Sequence, residues 1–174
     1  MIKTSFTCNS LRIKHFFRFL LVWAGSCCKP KNLSLLCRKE TARYFDIDTE
    51  SVFLFGSARM GLYSLLMTRR SEGKDEVIVA GYTCVVVTNA IKYAGLRAVY
   101  LDVEEDKLNL DAGLLRNAIG RRTKAIIFTH NYGITCEYVE EFRQEFPDIM
   151  IIEDAAHTFG SVTKEGKKAG TLGH

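Results

Sequence analysis

The chain has 174 residues, of which 47% are hydrophobic and 25% charged, ample for a globular domain with a real core. Two prolines and no repeat or low-complexity tract leave nothing to mark a long linker. Residues 1–43 hold nine Lys/Arg and one acid, a net +8, whereas residues 44–174 carry a net −4; a basic head on a mildly acidic body argues against nucleic-acid binding by the main domain.

The head comes first. Four of the six cysteines (Cys8, Cys27, Cys28, Cys37) lie in it, with Cys84 and Cys136 beyond. No CxxC pair and no histidine spacing suited to zinc occurs, so a reducing cytoplasm fits better than a secreted disulfide framework or a metal site. The apolar run 16–28 is shorter than the ~20 residues of a membrane span and is interrupted by Arg18. Ala24-Gly25-Ser26-Cys27 faintly resembles a lipoprotein cleavage site, but too much polar and basic sequence precedes it for a normal signal peptide. Residues 1–35 therefore read as a basic lead-in to a soluble, cytoplasmic protein, with an interfacial helix as the minority reading.

From about residue 34 the pattern becomes regular. Leu35, Leu36, Ala42 and Phe45 fall at helical spacing and end in the Asp46-Ile47-Asp48 turn. Five short apolar runs follow, at 52–55, 76–80, 98–103, 125–129 and 149–152. They are β-branched or aromatic and do not alternate, which is how parallel strands covered on both faces read. Helices are expected between them at 57–69, 85–94, 111–119 and 135–146. Asp111 is a candidate N-cap, Gly120 a C′ residue and Thr135 the cap of the last helix. Repeated strand–helix alternation implies βαβ units in a three-layer α/β/α sandwich with a mostly parallel sheet. Residues 161–170, containing Lys164-Glu165-Gly166-Lys167, read as an exposed hairpin.

Such sheets bind ligands outside the carboxyl ends of their strands. Neither a GxxxxGK[ST] nor a GxGxxG cradle is present, which counts against an ATPase and a conventional NAD enzyme. Phe55-Gly56-Ser57-Ala58-Arg59-Met60-Gly61 stands where strand turns to helix. Gly56 permits the turn, Ser57 can cap the helix, and the free amides of Ser57, Ala58 and Arg59 favour an anion such as phosphate. A Gly-Ser helix start is nonetheless more often a plain structural cap. The run 149–152 ends in Glu153-Asp154-Ala155-Ala156-His157. Asp154 can cap the following turn, ligate magnesium, or pair with a cofactor ring nitrogen; the magnesium reading needs a phosphate loop that this sequence lacks. His157 can brace Asp154 or touch a cofactor, or be a structural hydrogen-bonder.

The segment 75–173 resembles the nucleotide-sugar aminotransferases of the DegT/DnrJ group, pyridoxal-phosphate (PLP) enzymes of fold type I. The matching pieces are DEVIVAGYTCVVVTNAI, YAGLRAVYLDVEEDKLNLD, RRTKAIIFTHNYG and IIEDAAHTFGS followed by GKKAGTLG, with FGSARMGLYSLL matching the family's helix start. The collinear likeness covers about 36–173, and residues 1–35 match only loosely. It implies residues 36–174 as part of a PLP-binding large domain. Ser57 and Ala58 would form the phosphate turn, Asp154 the partner of the pyridinium nitrogen, and His157 would stand near the cofactor's 3′ oxygen.

Two departures stand out. The family usually has an aromatic ring after the threonine, where this sequence has Cys84; either Tyr82 compensates, or the cofactor lies on a thinner surface. The family's cofactor-linking lysine follows the GTLG element, so the resemblance places it, and the small C-terminal domain, beyond His174. Lys164, Lys167 and Lys168, all in the hairpin, read as solvated surface. The implied reaction is amino transfer, usually from glutamate, to a keto-sugar nucleotide by a homodimer without a membrane span. The alternatives are a PLP-dependent sugar dehydratase and a non-catalytic truncated or split-gene product that pairs with another chain.

Overall fold

A computed structural model describes residues 13–28, 32–68 and 73–174. Helix α1 (Ile13–Cys28) is followed by α2 (Leu33–Phe45), a 3-10 turn at Thr49–Ser51 and α3 (Ala58–Thr68). Alternation then sets in: β1 (Glu76–Ala80), α4 (Val85–Tyr93), β2 (Arg97–Leu101), α5 (Ala112–Ala118) and β3 (Thr123–Thr129). A 3-10 turn at Asn131–Gly133, α6 (Val139–Glu145) and β4 (Met150–Asp154) complete the order. The four strands pair in parallel in the order β2-β1-β3-β4, the sheet type expected of these apolar runs.

Helices cover both faces of the sheet, which is why its strands are apolar without alternation. Ile78, Ala80, Ile126, Phe128 and Ile151 point to one side and pack with Leu115 of α5 and Val139 and Phe142 of α6. Val77, Val79, Ala125, Ile127 and Met150 point to the other and meet Leu66 of α3 and Val87 and Ile91 of α4. The three layers follow directly.

The connections also fix where a ligand can enter. The chain leaves β1 through α4 to reach β2 on one side, then returns through α5 to β3 on the other side of β1. The segments after β1 and β3 therefore depart to opposite faces, and a crevice opens between their carboxyl ends.

Capping is chemically explicit. The Asn32 side chain accepts from Leu35 N–H at 3.0 Å, and Asp46, at φ 58°, closes α2 in the left-handed conformation. Asp111 Oδ1 accepts from Leu114 N–H at 2.8 Å at the start of α5, as expected, and Gly120 follows the C-cap Ile119. The tip of the 161–170 segment is a hairpin with one antiparallel bridge, Val162 to Lys168, and Gly166 at φ +80° makes its turn.

Three expectations are corrected. Residues 52–55 are not a strand: only Val52 is buried, while Phe53, Leu54 and Phe55 are 74%, 48% and 49% exposed. An apolar run becomes a strand only with a neighbour to bond, and the described sheet has none there. The second strand stops at Leu101, and Val103 instead makes an isolated antiparallel bridge to Leu110. The last helix begins at Val139 rather than 135. Tyr132 (φ 55°) and Gly133 (φ 87°) turn the chain first, and Thr135 Oγ1 donates to Glu137 at 3.0 Å instead of capping a helix.

Candidate functional site

A cleft of about 680 Å³ opens at the carboxyl edge of the sheet. Its walls come from four places: Ala58 and Arg59 at the start of α3, Tyr82–Cys84 after β1, Thr129–Tyr132 after β3, and Asp154–His157 after β4. Val86, Val87, Ile127 and Ile152 line the floor with apolar surface. A cleft at the strand-order switch, mostly apolar with a few converging polar groups, is the form a cofactor site takes.

Hydrogen bonds tie the rims together. Tyr82 and Tyr132 share a hydroxyl–hydroxyl bond of 2.6 Å, which pushes the Tyr132 phenol above its usual value. Thr83 and Thr129 share another at 3.2 Å, and Asn131 Nδ2 donates to Tyr82 O at 3.3 Å. The loops after β1 and β3 are thus joined across the crevice. His157 stacks on Tyr132, with ring centroids 6.0 Å apart and planes 23° off parallel. Asp154 ends β4, its carboxylate accepting from Ala156 N–H at 3.2 Å and its carbonyl from His130 N–H at 3.0 Å.

Beneath this surface lies a buried pair. The His130 ring is fully buried, and its Nδ1 accepts from Cys136 N–H at 3.1 Å. Nε2 therefore carries the proton and donates to Glu153 Oε2 at 2.9 Å. The Glu153 carboxylate also accepts from the backbone N–H groups of Gly170 (2.9 Å), Leu172 (2.5 Å) and Gly173 (2.8 Å). Burial raises the Glu153 carboxyl, but these four donors outweigh it and hold the group below the usual carboxylate range. Burial pushes the neighbouring Cys136 thiol up to about 12, leaving it inert.

Of the residues singled out in the sequence, Ala58, Cys84, Asp154 and His157 share this cleft. Ser57 stands one residue outside its walls; its carbonyl accepts from Met60 and Gly61 N–H as the α3 cap, and its Oγ lies 3.4 Å from Met60 N. His157 stacks on Tyr132 rather than bracing Asp154. The three hairpin lysines lie elsewhere. Lys167 pairs with Glu140 and with Glu165, Lys168 donates to Tyr44 O beneath the Tyr44 ring, and Lys164 is exposed. Among the described residues, no lysine lines the cleft. Arg59, whose amide was counted with those of Ser57 and Ala58, also lines the cleft, whereas Tyr132 is a wall that sequence reading did not single out, and the His130–Glu153 pair was likewise missed. The acid doublet at the end of β4 and the His-Asn-Tyr-Gly run after β3 were the available signals.

Residues 39–174 match the DegT/DnrJ/EryC1/StrS aminotransferase family. The dTDP-4-amino-4,6-dideoxy-D-glucose transaminase of Escherichia coli is 37% identical over 124 residues, 70% of this chain and 32% of that one. The structure of the aminotransferase TlmJ from Streptoalloteichus hindustanus superposes with a TM-score of 0.70 at 27% identity, covering 80% of this chain and 38% of the other. E. coli GDP-4-keto-6-deoxy-D-mannose-3-dehydratase with bound hydrated PLP gives a TM-score of 0.65 at 23% identity, covering 80% and 37%, a likeness of fold. The chain spans about a third of the length of the curated relatives it matches. With the family match covering most of the chain and the sheet, cleft and carboxylate arranged as described, the chain belongs to the DegT/DnrJ/EryC1/StrS aminotransferase family.

Proposed function

We propose that residues 36–174 form part of the PLP-binding domain of an aminotransferase acting on a keto-sugar nucleotide, with glutamate as amino donor. The observation that carries this reading is the position of Asp154, whose carboxylate stands at the carboxyl end of β4 in the same cleft as the N-terminus of α3. When bound, PLP supplies an electron-withdrawing ring that accepts the electron pair left by proton loss from the amine-bearing carbon. The residues present fit it. The amides at the start of α3, with Ser57 as cap and Ala58 and Arg59 in the wall, suit the phosphate. Asp154 would hold a proton at the ring nitrogen by charge-assisted hydrogen bonding. Cys84 and His157 would flank the ring, and His157 is oriented by its stack on Tyr132. Val86, Val87, Ile127 and Ile152 exclude water from one side.

The exposed apolar surface at 53–55 supports a homodimer, and free Cys37, Cys84 and Cys136 suit a reducing cytoplasm. Titrating the chain with PLP tests the site. Asp154→Ala is expected to weaken binding about tenfold to a hundredfold, the range for one hydrogen bond to a charged group. Borohydride is expected to fix the cofactor to no single lysine of this chain. Unchanged affinity in Asp154→Ala, or a stoichiometric adduct on Lys164, Lys167 or Lys168, would remove the proposal.

A further inference from the structure

Helix α1 presents a surface of a different kind. Its 16 residues span about 24 Å, short of the roughly 30 Å of a bilayer's hydrocarbon core. No helix among the described residues is long and apolar enough to cross a membrane. Phe16, Leu20 and Trp23 recur at i, i+4 and i+7, flanked by Ile13, Phe17 and Ala24, and make one broad apolar face. Lys14, Arg18 and Gly25 fall within about 40° of one another on the other side, a narrow basic stripe bordered by Leu21 and Val22. The large apolar side chains face solvent rather than the α/β body, from Leu20 at 38% exposed to Ile13 at 78%. In sequence, Lys3 and Arg12 precede the helix and Lys29 and Lys31 follow it.

We propose that α1 docks in the plane of an anionic lipid surface, its apolar face sunk at the headgroup boundary and its basic residues against the phosphates. An aromatic and leucine face opposite Lys and Arg is the composition that binds such interfaces. Charge selects this occupant over the α1 face of a second copy. The head carries +8 against a body of −4, so two heads brought face to face repel, while anionic headgroups complement them. The inference does not depend on the reading of the cleft.

The chain carries its own reporter, because Trp23 is its sole tryptophan and lies on the apolar face. The full chain is mixed with vesicles of phosphatidylcholine alone, or with about 30% phosphatidylglycerol added, a proportion that gives a negative surface potential. The expected result is a blue shift of Trp23 emission and co-flotation with the anionic vesicles. Binding to the neutral vesicles should be at least about tenfold weaker. Lys14→Ser with Arg18→Ser should weaken binding roughly thirtyfold, since each basic residue near an anionic surface contributes about fivefold. Phe16→Asp with Leu20→Asp should abolish binding and leave the thermal transition of the body in place, because both side chains are exposed. Three results would overturn the proposal: no shift and no flotation, equal binding to both vesicles, or binding indifferent to the Phe16/Leu20 change. So would a Trp23 shift that follows protein concentration without lipid, which would put a second copy on α1.

Discussion

Glu153 takes four hydrogen bonds in a buried position, one from a neutral imidazole and three from the backbone of 170–173. It therefore fastens the last described segment to the edge of the sheet. Arg143 Nη1 assists by donating to Gly173 O at 2.8 Å, and His174 N–H donates to Ile151 O at 3.0 Å. Gly173 is required there, since a Cβ would stand 2.8 Å from Ile151 O. Removing the carboxylate strands four donors, so Glu153→Ala is expected to cost about 3–5 kcal/mol in urea unfolding. The pH dependence follows from the depressed carboxyl. Its contribution is full above the unfolded value near 4.5 and is lost as pH falls through the lower folded value. The stability difference between the parent and Glu153→Ala should thus be constant above about pH 5.5 and shrink in acid; a difference independent of pH would contradict this assignment. The pair was not legible in the sequence because it depends on register. Phe128 lies opposite Glu153 and Thr129 opposite Asp154, and nothing local to either strand announces that alignment.

The elements themselves were more legible. Runs 76–80 and 125–129 coincide with β1 and with most of β3 because burial on both faces removes polar residues from a strand, and that signal is local. The run 52–55 carries the same signal without a partner strand, so composition alone mistook an exposed apolar connector for a strand. The opposite difficulty arose at 135–146, where residues 135–138, following the turn at Tyr132 and Gly133, are not helical and the helix begins only at Val139. Caps were the most dependable local feature. Helix α5 is only seven residues long and delivers Leu115 to the core, so its single capping side chain bears on packing as well as on the helix. Asp111→Ala is expected to destabilise the fold by about 1 kcal/mol, and Asp111→Ser by a few tenths. Paired thermal melts decide it: equal losses for both would show that the effect is not capping.

At the scale of the whole molecule, apolar surface is distributed unevenly. The cleft is walled and hydrogen-bonded across its rims, and the four-donor clasp secures the β4 edge. The connector entering α3 is different. Phe53, Leu54 and Phe55 are exposed in sequence, and Met60 on the first turn of α3 adds to them. Gly61 leaves room for Phe55 to lie along that helix, since a Cβ there would stand 3.0 Å from the Phe55 ring. A run of exposed apolar residues beside a cleft favours association over exposure to water. The chain is therefore expected to be larger than its 19.7 kDa monomer in light scattering, with a mass that rises between about 1 and 100 µM as mass action requires. Phe53→Ser with Phe55→Ser should return the mass to the monomer. Below the association range, where these side chains are solvated, unfolding stability should change by no more than about 0.5 kcal/mol. The Phe16/Leu20 change in α1 supplies the control, for it removes the other apolar face and should leave association intact. A monodisperse monomer across the whole range, or association abolished by the α1 change and untouched by the Phe53/Phe55 change, would show that the connector is not an interface.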